Sequence, residues 1–188
     1  MTGPASLDSL EQLVRARRTN LMMDVSREVP VELVERLCAL GQWAPCHKRT
    51  WPAHYRLLTG EARSGLGKVA AEAMAARGDE PAKVAKTTTK YLRAPAMLVI
   101  GSAVGDSPLR TAENRDAVAA GVQNILLGAT ATGLASYWSS CPKGANGDIA
   151  SFCGLEDGTT IVGLVYLGWP SREVQAPTRP APDLRHLT

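Results

Sequence analysis

Three short stretches of this sequence carry side chains that could do chemistry, and one of them also sets a thiol beside an imidazole. Arg17, Arg18 and Thr19 join two guanidinium forks to a hydroxyl. That set suits a terminal phosphate, because each fork matches two phosphate oxygens and the pair neutralises a dianion. A basic pair at a helix C-terminus also complements the helix dipole in solvent, so the pair alone leaves both readings open. In Trp43-Ala44-Pro45-Cys46-His47-Lys48-Arg49-Thr50-Trp51-Pro52, two indoles, an imidazole and two cations fall in one loop. Such a loop can present amides and polar groups to a flat, polar-edged ring, or it can be a turn covering the core with both indoles inward. Gly133-Leu134-Ala135-Ser136-Tyr137-Trp138-Ser139-Ser140 offers small residues that let a backbone run close to a ligand and hydroxyls to bond its edge, or else an ordinary strand entry. Cys46 and His47 are neighbours in sequence, whereas the partners of a nucleophilic Cys/His pair come from separate segments.

Helices and strands must position these groups. Leu7, Leu10, Leu13 and Val14 recur at helical spacing over Ser6 to Arg17, with Ser6 as N-cap, so the basic pair ends a helix. Pro30 stands where a first helical residue would, and Val31, Val34, Leu37, Cys38 and Gly41 form the stripe of a second helix that delivers the Ala44-Pro45 loop. Met22 to Val29 reads as a plain connection. Tyr55 to Thr59 predicts a strand, Gly60 to Gly78 an Ala-rich helix, and Lys83 to Leu92 a weaker helix. Ala96 to Ala103 is too short and apolar for a typical helix and predicts a buried strand. The pattern from Asn114 to Gly133 predicts a central helix, buried in the domain or at a dimer interface. Leu134 to Ser140 predicts a strand or turn, Asp148 to Cys153 a short helix, and the β-branched run Thr159 to Leu167 a central strand. Pro170, Pro177, Pro180 and Pro182 make the last stretch an extended arm, which must lie on its own domain or on a partner subunit.

The chain has 188 residues, 45% of them hydrophobic, enough for one domain with a mixed α and β core. Its 21 basic and 18 acidic residues are scattered, without the clustered basic stripe that a nucleic acid backbone demands. No apolar run approaches the roughly 20 residues of a membrane span, and the N-terminus lacks the pattern of a secretory signal, so a cytoplasmic location is expected. Cys38, Cys46, Cys141 and Cys153 fit no metal-knuckle spacing and read as free thiols; no metal site is expected.

Taken in order, these segments resemble the nitroreductase family, in particular its short single-domain members, over most of the chain. The resemblance rests on the helix ending in Arg17-Arg18-Thr19, where the family usually has Arg-Arg-Ser, and on the Ala44-Pro45 loop with His47-Lys48. It continues through Gly60-Glu61-Ala62-Arg63, Ala120-Gly121-Val122-Gln123-Asn124, Gly133 to Trp138, Ile161-Val162-Gly163 and Tyr166-Leu167-Gly168-Trp169-Pro170. It implies an α+β fold with a central, mostly antiparallel sheet flanked by helices, as one domain over residues 1–188 with a Pro-rich arm from about residue 170. It further implies an intertwined homodimer with FMN at the interface, and electron transfer from NADH or NADPH through the flavin to a nitro compound, quinone or related acceptor. Arg17, Arg18 and Thr19 would hold the phosphate and ribityl end, with Arg172 as an additional phosphate partner. Trp43, His47, Trp138, Ser139 and Ser140 would line the flavin. No catalytic acid or base is named, since hydride chemistry belongs to the cofactor and backbone amides can stabilise its charge.

The chain also departs from the family. Asn20-Leu21-Met22-Met23 follows the basic pair where relatives often place another basic residue, which removes a polar contact. Lys48, Arg49 and Thr50 stand where many members carry Asn and Gln. Those cations could stabilise a reduced flavin, or attract an acidic substrate or a nicotinamide cofactor's phosphate. The altered loop keeps open a flavin-storage protein with little turnover, and Cys46 a cysteine-dependent hydrolase.

Overall fold

The computed structural model describes residues 6–188. Helix α1 (Leu7–Ala16) starts where its cap predicts: the Ser6 hydroxyl accepts from the Ser9 N–H at 3.2 Å, satisfying one of the first turn's orphan donors. Its Leu7, Leu10 and Val14 nevertheless face solvent, and none of its residues is buried within the chain.

Strand β1 (Met23–Asp24), helix α2 (Val31–Gly41), a 3-10 turn at His47–Arg49 and strand β2 (Ala53–Leu58) follow. Next come α3 (Ala62–Ala76), α4 (Pro81–Lys90), a second 3-10 turn at Tyr91–Arg93 and β3 (Ala96–Ser102). The long helix α5 (Pro108–Ala131), β4 (Ala135–Ser139), α6 (Asn146–Phe152) and β5 (Thr160–Pro170) complete the order. Three boundaries correct the sequence reading. Pro30 caps α2 from outside instead of opening it. The segment after Met22 contains β1, because β5 runs on to Pro170 and offers Met23 and Asp24 a pairing edge. Helix α5 begins at Pro108, well before Asn114, with the Ser107 hydroxyl accepting from the Arg110 N–H at 3.2 Å and Pro108 in the first turn where its missing N–H costs nothing.

The sheet is antiparallel at every strand pair, and β5 is its centre. β3 lies on one side of β5 and β4 on the other, β2 flanks β3, and β1 joins at the far end of β5. The fold class is therefore α+β, as the family resemblance implies. Helices cover both faces, which is why all of β3 is buried and reads as a continuous apolar run. Met97, Val99, Leu164 and Tyr166 meet Leu66 and Ala70 of α3 and Ile149 of α6 on one face. Leu98, Ile100, Val165 and Leu167 meet Leu37 of α2 and Val122 and Ile125 of α5 on the other. Helices α2 and α5 cross closely at two glycines: a Cβ on Gly121 would lie 2.6 Å from the Gly41 carbonyl oxygen. Beyond Pro170 the chain to residue 188 has neither helix nor strand and is exposed. No helix among the described residues is long and apolar enough to cross a membrane.

Candidate functional site

Helix α1 ends by delivering the basic corner. Arg17 is its C-cap, and the Arg18 guanidinium donates to the Arg17 carbonyl at 2.7 Å. Both arginines are half-buried, unlike a basic pair dissolved at a helix end. Thr19 makes an isolated parallel bridge to Ser136, and the Asn20 N–H donates to the Ser136 carbonyl at 3.0 Å. The corner is thus stitched to the start of β4.

Cavities open on both sides of Arg18. One, of about 610 Å³, is lined by Arg15, Arg17, Arg18, Gln123 of α5, and Pro177 and Arg179 of the arm. Another, of about 260 Å³, is lined by Arg18, Asn20, Gly133, Leu134 and Arg172 among others. Arg17, Arg18, Thr19 and Arg179 also share a third recess of about 270 Å³. The structure places Arg172 in a cavity with Arg18, and Arg179 in cavities with Arg17 and Arg18. Nothing local in the sequence marks Arg179, because its proximity arises only when the Pro-rich arm folds back toward α1.

The Ala44-Pro45 loop sits elsewhere. Trp43 is 84% exposed and Trp51 56%, so the loop is not a cover with its indoles turned inward. Lys48, Arg49 and Trp51 hold positive φ values of 57°, 54° and 48°, a left-handed region that costs non-glycine residues about 1 kcal/mol or more each. What over-determines this backbone is α5. His47 Nδ1 lies 2.9 Å from a Glu113 carboxylate oxygen, Arg110 donates to the other oxygen at 2.5 Å, and the Thr50 hydroxyl donates to Asn114 Oδ1 at 2.7 Å. Arg110 also stands 3.1 Å from His47 Nδ1, and one nitrogen cannot donate to Glu113 and accept from Arg110 at once, so the imidazole tautomer selects the partner. The Cys46 thiol lies 3.4 Å from the Thr50 hydroxyl, so thiol and imidazole serve separate networks. Burial pushes that thiol up, but hydrogen bonds from Thr50 and from the Trp51 backbone, with the Arg110 charge, outweigh it and hold Cys46 below the ordinary thiol range. Burial raises Cys38, Cys141 and Cys153 to about 11.

On β4, Ser136 is buried beside the corner, and Trp138 lies across β5 with its indole N–H donating to the Val162 carbonyl at 3.2 Å. Gly163 makes room for it: a Cβ there would sit 2.1 Å from the indole nitrogen. Ser139 and Ser140 continue away from the corner, with Ser140 about 13 Å from Ser136 along an extended chain. His47 is farther still: it is tied to Glu113 and the corner to Gln123, and ten residues of α5 span about 15 Å. One chain gathers Arg17, Arg18, Thr19, Arg172 and Arg179, and keeps His47 apart from them.

Against known proteins, the family model described as the nitroreductase family matches residues 14–169. The chain belongs to the nitroreductase family. The match takes in the basic corner, the Ala44-Pro45 loop and β4, while Arg172 and Arg179 lie beyond it. An Escherichia coli K12 protein, YdjA, whose name carries a provisional NAD(P)H nitroreductase assignment, is 24% identical over 87% of this chain and 89% of its own length. Among solved structures, a nitroreductase-like family protein from Bacillus cereus superposes with a TM-score of 0.79 at 24% identity, covering 96% of this chain and 94% of its own. The FMN-dependent nitroreductase NfnB from Mycobacterium smegmatis, solved with NADPH, superposes with a TM-score of 0.72 at 18% identity over 92% of this chain and 95% of its own.

Proposed function

We propose that this nitroreductase-family chain is an FMN-dependent oxidoreductase that takes electrons from NADH or NADPH and passes them to a nitro compound, quinone or related small acceptor. The observation that carries the reading is the basic corner: Arg17, Arg18, Arg172, Arg179 and the Thr19 hydroxyl line adjoining cavities at the end of α1. Flavin mononucleotide ends in a dianionic phosphate, and guanidinium forks with a hydroxyl beside them fit that group. The Mycobacterium smegmatis neighbour, described as FMN-dependent and solved with NADPH, supports the same pair of cofactors. When bound, FMN supplies the hydride and electron chemistry, and the chain's residues supply position and charge. The corner residues bind and orient the phosphate end, and Gly133 to Ser136 bring backbone close beside it.

The ring side of the site is completed in a homodimer. Within one chain His47 is held away from the corner along α5, and the apolar face of α1 and the arm's Leu184 and Leu187 stay exposed. A second copy that covers these surfaces gains hydrophobic free energy and brings its loop, with Lys48 and Arg49, toward the corner of the first. One domain with a C-terminal arm that lies on the partner accounts for both features.

The test is direct. Full-length protein is titrated with FMN, and the loaded protein is mixed anaerobically with NADH or NADPH in a stopped-flow instrument. Micromolar or tighter FMN binding and rapid bleaching of the flavin are expected. Absence of flavin binding refutes the reading, and tight binding without bleaching assigns a flavin-storage role instead.

A further inference from the structure

Asn20 departs from the family pattern and reads in the sequence as a lost contact. In the structure it is only 7% exposed, and its amide is used at both ends. Oδ1 accepts from the Met22 N–H at 2.8 Å, closing a turn two residues on, and Nδ2 donates to the Arg172 carbonyl at 2.9 Å. Its own N–H donates to the Ser136 carbonyl at 3.0 Å. One residue therefore ties together the segment after α1, the start of β4 and the chain leaving β5. The last tie matters most, because Arg172 lies beyond the sheet, where the Ser171 N–H to the Met22 carbonyl is the neighbouring backbone anchor. Arg18, Asn20 and Arg172 line one cavity of about 260 Å³.

We propose that Asn20 is a positioning residue: by fixing the Arg172 backbone against the Arg17-Arg18-Thr19 corner, it sets the guanidinium of Arg172 for an anionic terminal group and confers preference for a phosphorylated flavin over its uncharged counterpart. This rests on the corner gripping a flavin phosphate. A side chain that merely staples the fold affects both flavins alike. One that acts through Arg172 affects only the phosphorylated one. Serine in place of Asn20 can still close the turn to Met22 but is too short to reach the Arg172 carbonyl, so the two hydrogen bonds can be separated.

The experiment is a double-mutant cycle on full-length apoprotein, with Asn20→Ser, Arg172→Ala and the double variant, reading flavin fluorescence on titration with FMN and separately with riboflavin. Asn20→Ser is expected to raise the FMN dissociation constant about tenfold and to leave that of riboflavin within about twofold. In the Arg172→Ala background the same substitution is expected to change neither. Equal loss for both flavins, an unchanged FMN preference in Asn20→Ser, or full additivity with Arg172→Ala each overturns the proposal. A wild-type protein that binds FMN and riboflavin equally overturns the corner's role itself, a failure distinct from that of Asn20.

Discussion

His47 and Glu113 join the Ala44-Pro45 loop to the first part of helix α5, with Nδ1 and a carboxylate oxygen 2.9 Å apart. The loop needs this clamp, since three of its non-glycine residues occupy left-handed backbone, and a charge-assisted bond to a helix is what resists relaxation. Glu113→Gln weakens the bond and leaves Arg110 without its carboxylate. Amide hydrogen exchange at residues 46–51 is expected to speed up by about tenfold, corresponding to ~1.4 kcal/mol of local opening, with residues of β3 unchanged. Exchange at wild-type rates would show that the loop is held by Thr50 and Asn114 alone.

Gly121 packs against the Gly41 carbonyl where α2 crosses α5, and a Cβ would lie 2.6 Å from that oxygen. Gly121→Val forces the helices apart and is expected to cost about 1–3 kcal/mol, read as a lowered denaturant midpoint with the slope conserved. A stability equal to wild type would mean that the crossing is looser than the contact implies.

The four thiols are all free, but their environments differ. Cys46 sits below the ordinary range while burial lifts Cys38, Cys141 and Cys153 to about 11. Iodoacetamide at neutral pH is expected to label Cys46 first, by roughly an order of magnitude in rate, because the thiolate is the nucleophile. Peptide mapping by mass spectrometry checks this, and faster labelling at any of the buried thiols contradicts it.

The same buried groups fix the direction of alkaline denaturation. The three thiols rise from 9.0 to about 11, and Tyr55 and Tyr166 from 10.0 to about 12, all chiefly through desolvation. The folded state therefore holds these protons more tightly than the unfolded one. Their contribution is complete below pH 9 and is lost as pH rises through the window from 9 to 12. Thermal midpoints are expected to fall steadily above pH 9, and replacing Cys38 by Ala is expected to flatten the first part of that fall. A midpoint that rises with pH in this window is the contrary result.

The apolar stripe of α1 tests the homodimer. Leu10 is 48% exposed beside Leu7 and Val14, so Leu10→Glu costs little within one chain but places a charge in any interface that covers the stripe. Sedimentation is expected to show a dimer for wild type and a shift to monomer for the variant, with a weaker hold on FMN. A variant that remains dimeric moves the interface away from α1.

Legibility in the sequence followed burial. β3 and β5 could be read because both faces of the sheet are covered, which turns each strand into an apolar run with β-branched residues. β1 could not, since two residues carry no periodicity and owe their pairing to the overrun of β5. The first turns of α5 are polar and solvated, so the apolar stripe pointed only to the part from Asn114 onward, although Ser107-Pro108 was a cap signal in plain view. At the candidate site the Arg17-Arg18-Thr19 corner was visible as a local cluster. The tie that Asn20 makes is not legible because its partner is Arg172, and Glu113 and Arg179 are hidden because sequence distance conceals contacts made across the fold.

The placement of β5 has a consequence for the order of events at synthesis. A sheet whose middle strand is the last one made cannot close while the ribosome is still working upstream of it: β3 and β4 wait on either side for the same late segment. The nascent chain therefore carries two unsealed half-cores until residues near 170 have emerged, a window of roughly 3–14 seconds at ordinary elongation rates, in which the exposed strands invite aggregation. Arg18 gains Arg172 as a neighbour only in the same final step. The anion grip and the folded core thus arise together, and a ribosome stalled before β5 holds a chain with neither.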